Sequence, residues 1–475
     1  MAQPPATELA YASLTRVADL LRQRAISSTE LTRLMLDRID RLNPELNAFI
    51  TVLRTEAMEQ AEAADALLAR DARVGPLHGV PVAVKDNMAT AGIRTTAASR
   101  LLRDWVPERD ATVVSRLKGA GAVILGKLNL YELAFGFVNE DYGECRNPWD
   151  STRCCSASSS GPGCAVAAGM AYGSLGTDTG GSIRLPAAAC GVVGLKPTYG
   201  LVSRAGVVPG SYSLDHVGPF GRTVRDVAVQ MGVLAGHDPD DPASVRAAPP
   251  DFESGLEAGL SGMVVGVPRR QQSEVIDEEM LQAYLAALAT IQSEGAILQE
   301  VDVPDHVLSG AAIWAISAPE VAEAHREWTR SRPDDYSPIL KSVVQLGEFL
   351  PATEYVHAHR VRQVIRSAYA EVMKQVDVLA MPVVPFPAWE IGAQMITIGS
   401  HDPEDLMTAL TRYCSPANIT GQPAVSVPCG FNRAGLPLAF QFVGSWLGDA
   451  TVLRAARAYE RATEWHTLMP PLAGD

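Results

Sequence analysis

Apolar positions along the chain recur first at helical spacing and then alternate. Leu14, Val17, Leu20 and Leu21 fall on one face and predict an N-terminal helix. Ser27-Ser28-Thr29-Glu30 reads as a capping box, and Leu31, Leu34, Met35 and Ile39 continue the apolar stripe behind it. Asn43-Pro44 predicts the end of that helix, because a proline pushes its predecessor out of the helical region. An alanine- and glutamate-rich helix is predicted from Thr55 to Arg70. The period then changes to two: Val80, Val82 and Val84 alternate in a strand that ends at Lys85. Asp110 is the predicted cap of a helix carrying Val113, Val114 and Leu117, which stops near Gly119 and Gly121. Short strands are predicted at Ala122–Leu125, Ala171–Leu175, Met263–Val267 and Ala296–Leu298. A helix from Asp277 to Glu294 carries Met280, Tyr284, Leu288 and Ile291 on one side. This alternation predicts an α/β fold with a mostly parallel sheet. From about Val307 to Leu410 the pattern is least regular and rich in Pro, His and aromatic residues, so that region is expected to supply lids and pocket walls.

Composition narrows the function classes. With 475 residues, 47% of them hydrophobic, the chain can bury a large core. A formal net charge of −14 opposes non-specific binding to nucleic acid or to anionic membrane surfaces. No apolar stretch is long enough to span a bilayer, and Met1-Ala2-Gln3-Pro4-Pro5 does not resemble a signal peptide. The seven cysteines are odd in number and scattered, with no C-x-x-C pair to suggest a zinc ribbon or a thioredoxin-like motif. Free thiols in a reducing cytoplasm are therefore expected, with no metal and no cofactor.

Candidate chemistry gathers in three places. Gly176 to Arg184 reads Gly-Thr-Asp-Thr-Gly-Gly-Ser-Ile-Arg. Paired glycines let successive amides converge on one point, where an oxyanion could sit beside the Ser182 hydroxyl. Gly-rich turns with a serine are usually only turns, and neither the phosphate-loop ending nor the hydrolase elbow is present. Lys85 reads as a solvated lysine unless it is buried, in which case a depressed pKa would make it a base. The loop from Cys154 to Gly163 holds four serines in five positions, followed by a small-residue run to Gly169. A serine loop against such a run needs buried partners, and Lys85 and Ser182 could provide them.

These residues together resemble the amidase signature family. The resemblance runs through Gly79–Asn87, Asn147–Asp150, Gly176–Thr198, Asn418–Ala424 and Gly435–Pro437. It implies the family's α/β fold over residues 1–475, a central mixed, mostly parallel twisted sheet with helices on both faces. Within that single domain, 1–75 is the expected helical N-terminal part and 76–230 the catalytic core. Residues 300–410 form the variable lid and pocket region, and 411–475 return to the core. By the resemblance, Ser182 is the nucleophile, Lys85 the base and Ser158 the bridging serine of a Ser–Ser–Lys triad. Thr179, Gly180 and Gly181 match the oxyanion-hole donors, and Asp178 and Arg184 the positions that brace the loop. The family's bridging serine follows a cis peptide bond and a Pro-Gly-Gly run; here Cys155-Ser156-Ala157 stands in that place, and Ser159-Ser160-Gly161-Pro162 replaces Ser-Gly-Gly-Ser.

The resemblance implies a free-standing hydrolase of C–N acyl bonds that works through a serine acyl-enzyme. Phe135, Phe137, Tyr142, Tyr212, Trp314 and Trp389 are candidate pocket residues, and they lean the expected substrate towards an aryl amide or a carbamate (urethane), with esterase side activity. Expected partners are a small-molecule amide or carbamate, with no nucleic acid and no membrane, and the chain is expected to be a monomer or homodimer. A second reading is resemblance to the A subunit of glutamine-dependent tRNA amidotransferases, an ammonia-supplying component of a complex. A third is a catalytically impaired scaffold, suggested by the altered serine loop.

Overall fold

The computed structural model describes residues 6–135, 137–269 and 275–473. The polar run Met1–Pro5 lies outside them. Eleven strands form one sheet: β1 Phe49–Val52, β2 Pro81–Lys85, β3 Val123–Leu128, β4 Gly173–Asp178, β5 Val193–Lys196, β6 His216–Gly221, β7 Val264–Pro268, β8 Ile297–Val301, β9 Val378–Pro382, β10 Ala424–Phe431 and β11 Pro437–Gly444. Their order is β1-β3-β2-β4-β6-β5-β10-β11-β9-β7-β8. The sheet is mixed. Parallel pairing is confined to β2 with β3 and β4, and to β7 with β8 and β9. The pairs from β4 through β6, β5, β10 and β11 to β9 are antiparallel, so parallel strands do not dominate as expected from sequence.

Interior strands of such a sheet are apolar on both faces. β2, β3, β4, β5, β9 and β11 are buried at every position, and they carry the few polar residues that matter later. Register decides where those residues go. β2 and β4 are parallel neighbours, with Val84 opposite Leu175, so the carboxyl ends Lys85 and Asp178 emerge at one edge. Antiparallel β6 brings His216 opposite Asp178. Helices Arg184–Cys190, Glu278–Ser293 and Asp449–Arg461 pack on β10 and β11. Among the described residues no helix is long and apolar enough to cross a membrane.

The capping box at Ser27 and Glu30 is present, with both reciprocal bonds. Three expectations are corrected. The helix it opens runs from Ser28 to Leu46 with Pro44 inside it. A proline this close to the last turn removes one bond, and burial of Leu42 and Leu46 outweighs that loss. Asp110 does not cap the next helix. Its carboxylate accepts from the Ala91 amide and Lys118, and Ala111 stands at the cap without a side-chain bond. The region from 306 to 372 is the most helical part of the chain, with helices His306–Ala324, Arg326–Ser331, Pro338–Phe349 and Ala352–Val372. The first hides its periodicity because five of its eight buried residues, Ser309, Ala312, Ser317, Ala318 and Ala322, are small or hydroxyl-bearing.

Candidate active site

Lys85, the last residue of β2, is fully buried. Its Nζ lies 2.9 Å from Ser158 Oγ, 2.9 Å from Ser159 Oγ and 2.7 Å from Thr177 Oγ1. Burial holds its pKa well below the ordinary lysine value, and the more distant charges of Asp215 and Asp178 only partly oppose this. A neutral amine has two hydrogens and one lone pair, which sorts the three hydroxyls. Ser159 donates its hydrogen to the Thr177 carbonyl at 3.0 Å, so it faces Lys85 as an acceptor. Ser158 has its hydroxyl hydrogen available for the Lys85 lone pair. Its backbone N–H donates to Ser182 Oγ at 3.3 Å, so Ser158 touches both the lysine and Ser182.

The loop leading into Ser158 departs from ordinary backbone. Ser156 has φ 62° and Ala157 φ 45°, left-handed angles that cost a residue with a Cβ about 1–2 kcal/mol each. Every peptide bond among the described residues is trans, so the cis bond implied at Ser158 is not observed.

The Gly176–Arg184 block ends β4 and turns into the helix Arg184–Cys190. Asp178 holds the turn: its carboxylate accepts from the amides of Gly181 (2.8 Å) and Ile183 (3.1 Å). It also pairs with Arg184 Nε at 3.1 Å, both side chains being fully buried. Burial alone would raise the Asp178 pKa, but the Arg184 guanidinium overcomes it and keeps the carboxyl far below the usual range. Arg184 extends the brace to Asn418 Oδ1 (2.6 Å) and Gln441 Oε1 (2.9 Å), and Asn418 Nδ2 donates back to Asp178 at 2.7 Å. Because the Gly181 amide is committed to Asp178, the donors left to an oxyanion in this turn are Thr179 and Gly180, with the amide of Ser182 itself. Gly181 sits at φ 125°, where a Cβ would come within 2.7 Å of Leu185 Cδ1 and 2.8 Å of Cys414 Cβ. Thr179 Oγ1 is tied to Asp215 at 2.5 Å.

Ser182 opens onto a narrow cavity of about 70 Å³. Phe135 and Trp314 line it, packed edge to face at 6.0 Å, together with Tyr131, Ile313, Met407 and Leu410. Four other aromatic candidates lie elsewhere. Phe137 stacks on Tyr131 without lining the cavity, and Tyr142 donates to the Ser99 carbonyl. Tyr212 is exposed beside a separate cavity containing Asp215 and His216, and Trp389 is buried against Phe386. Local sequence places an aromatic near the site but not the direction of its side chain. His216 is neutral: burial, then the nearby Lys196, depresses its pKa well below normal, and its Nδ1 faces the Leu214 carbonyl at 2.6 Å. Sequence reasoning missed Thr177, Asn418 and Gln441 as members of this network, whereas Ser159 lies in the serine loop and competes there with Ser158 for the bridging role. Thr177 lies within the block already singled out, and Asn418 within another; only Gln441 sits in a strand with no signal beyond being a polar residue among apolar ones.

A buried, neutral lysine linked through a serine to a second serine beside free backbone donors is equipped for acyl transfer. The comparisons agree on the class. A family model described as Amidase matches residues 30–453, and the chain belongs to that family, as an enzyme acting on C–N bonds. More particularly, it is 40% identical over 478 residues to the A subunit of the glutamyl-tRNA(Gln) amidotransferase of Geobacter sp. (strain M21), covering 95% of this chain and 97% of the relative. The solved A subunit of the same amidotransferase from Thermotoga maritima superposes with a TM-score of 0.81 at 36% identity, over 95% of each chain. A chain from a vestigial protein complex, studied for the origins of an s-triazine catabolic enzyme, superposes with a TM-score of 0.90 at 32% identity, over 95% of this chain and 98% of that one.

These relatives correct two expectations. The reading as a free-standing hydrolase of small aryl amides or carbamates gives way to that of an amidotransferase A subunit, and the absence of a nucleic-acid partner gives way with it. The physical reason is common to both. The signature residues encode the acyl-transfer machinery, which is shared, whereas substrate and partners are read by pocket and surface residues outside it. The charge of −14 speaks against direct, non-specific contact with RNA, but not against membership of an assembly in which another chain makes that contact.

Proposed function

We infer that this chain is the amide-hydrolysing A subunit of an amidotransferase that acts on glutamyl-tRNA(Gln). Its relationship to amidotransferase A subunits, along nearly the whole length of both chains, carries the reading. Ser182 attacks the carboxamide carbon of glutamine as Ser158 takes its proton and passes one to the neutral Lys85. The oxyanion is met by the amides of Thr179 and Gly180. Collapse expels ammonia, protonated by the same relay, and leaves a glutamyl ester on Ser182, which water cleaves. A partner chain uses the ammonia on the tRNA-bound glutamyl group. Seven unpaired cysteines fit a cytoplasmic setting.

The test is ammonia release from glutamine by the purified chain, alone and with glutamyl-tRNA(Gln) plus co-expressed partner chains. Turnover that rises at least tenfold with the partners and vanishes in Ser182→Ala supports the reading. Hydrolysis of simple amides by the isolated chain, with no glutamine turnover in any combination, overturns it.

A further inference from the structure

Three cysteines spread over twenty positions meet at the base of the serine loop. The sulfurs of Cys145, Cys155 and Cys164 all lie within 4.8 Å of one another, and all three residues are buried. The short ladder pairing Arg146–Asn147 with Asp150–Cys154 brings Cys145 and Cys155 together, and Cys164 reaches them from the helix Ser160–Ala167. Cys145 and Cys155 Sγ are 3.8 Å apart. The Arg146 carbonyl oxygen turns into the same space, 3.1 Å from Cys155 Sγ and 3.5 Å from Cys164 Sγ.

We propose that Cys145, Cys155 and Cys164, with the Arg146 carbonyl as fourth donor, form a binding site for a single thiophilic divalent cation, zinc being the natural occupant. Zinc takes thiolates at about 2.3 Å in a tetrahedron, which requires sulfur–sulfur edges of about 3.8 Å. The Cys145–Cys155 edge already has that length. The centre of a triangle with edges between 3.8 and 4.8 Å lies about 2.2–2.8 Å from each corner, so the ion fits after a contraction of a few tenths of an ångström. Three thiolate donors select a soft or borderline metal such as zinc, and the carbonyl oxygen fills the fourth position of its tetrahedron. Binding replaces three S–H bonds by three metal–sulfur bonds and releases three protons, leaving a complex of net charge −1.

The site clamps a segment that needs one. Cys155 lies three residues before Ser158, and Cys164 belongs to the helix that follows the loop. An ion joining them fixes both ends of a segment whose Ser156 and Ala157 hold left-handed angles. No C-x-x-C spacing announces the site, because its donors come from opposite sides of a hairpin and from a helix.

The experiment uses the full chain, reduced and stripped with a chelator, and titrates it with Co²⁺ and then Zn²⁺. Expected are one equivalent of Co²⁺ per chain, a thiolate-to-cobalt charge-transfer band, tetrahedral visible bands, and their loss on adding zinc. At a thousandfold excess of Zn²⁺ over its Kd, Tm is expected to rise by about 4 °C for a chain of this length. Cys145→Ser and Cys164→Ser each weaken binding at least 100-fold, whereas Cys429→Ser, on β10, leaves it unchanged. The titration of the parent stands whatever the variants do. A folded parent that gives no thiolate–cobalt band overturns the proposal, as does undiminished binding by the Cys145→Ser/Cys164→Ser double variant. A Cys145–Cys155 disulfide found by mass under the same reducing conditions also overturns it.

Discussion

Asp178→Asn keeps the shape of a fully buried side chain and removes its charge. The consequences follow from the brace. Arg184, also fully buried, loses the carboxylate that compensates it. The carboxylate accepts from the Gly181 and Ile183 amides through different oxygens, so the amide group that replaces one oxygen points a donor at a donor. Removing one partner of a buried ion pair costs about 3–5 kcal/mol. Unfolding entropy near 2.1 cal/mol/K per residue gives about 1 kcal/mol/K for 475 residues, so Tm is expected to fall by about 3–5 °C. The turn that presents Ser182 loosens as well, and a displacement of about 1 Å costs about 10²-fold in rate. The assay pairs thermal unfolding with the rate at which a fluorophosphonate labels Ser182, read by intact mass. The double variant Asp178→Leu/Arg184→Met removes both charges and is expected to be more stable than Asp178→Asn alone, though equally slow to label. A variant Asp178→Asn that unfolds within about 1 °C of the parent and labels at the parent's rate would refute the role assigned to the brace.

Ser158 and Ser159 both touch Lys85, but only Ser158 has its hydrogen free. Ser158→Ala is therefore expected to lower kcat by 10²–10⁴-fold and Ser159→Ala by far less; the reverse order would reassign the relay. Burial favours the neutral amine of Lys85 in the native chain, whereas the unfolded chain holds it protonated near neutral pH, so activity falls on the acid side as it gains a proton, and Lys85→Arg is inactive at every pH tested. The unfolded chain binds the extra proton in the window between the depressed native pKa and the ordinary value of 10.5, so stability relative to Lys85→Met rises with pH there; parallel pH–stability curves for the two proteins would show that Lys85 is not depressed. Gly181→Ala places a Cβ against Leu185 and Cys414 at a left-handed φ, and is expected to lose about 10²-fold in labelling rate; an unchanged rate would mean the turn is softer than its contacts imply.

What the sequence made legible was local. The strand at Val80–Lys85 and the capping box at Ser27 are written in adjacent residues, and both appear in the structure. Motif alone points to Lys85, Ser158 and Ser182, and the fold brings them within hydrogen-bond reach across separations of 73 and 24 residues. What stayed hidden depends on distant pairing. Gln441 is an isolated polar residue in an apolar strand until Arg184, 257 positions earlier, is placed beside it. The helices from 306 to 372 are illegible for another reason: small and hydroxyl-bearing residues make up much of the buried face of His306–Ala324, and in the later helices Leu346, Phe349, Val356 and Val364 stand exposed. Of the six aromatic candidates Phe135 and Trp314 line the cavity and the other four do not, since position along the chain does not determine where a ring points.

The clasp of Arg184 by Asn418 and Gln441 imposes an order of events on biosynthesis. A ribosome adding about 5–20 residues per second needs about 13–51 s to travel the 257 residues from Arg184 to Gln441. Until position 418 is reached, the emerging chain contains Lys85, Ser158, Ser182 and Asp178 but neither Asn418 nor Gln441. A nascent or C-terminally clipped chain ending before Asn418 thus carries every reacting group but lacks the two outer partners of Arg184. Completion of the buried brace therefore waits on the segment that carries Asn418 and Gln441.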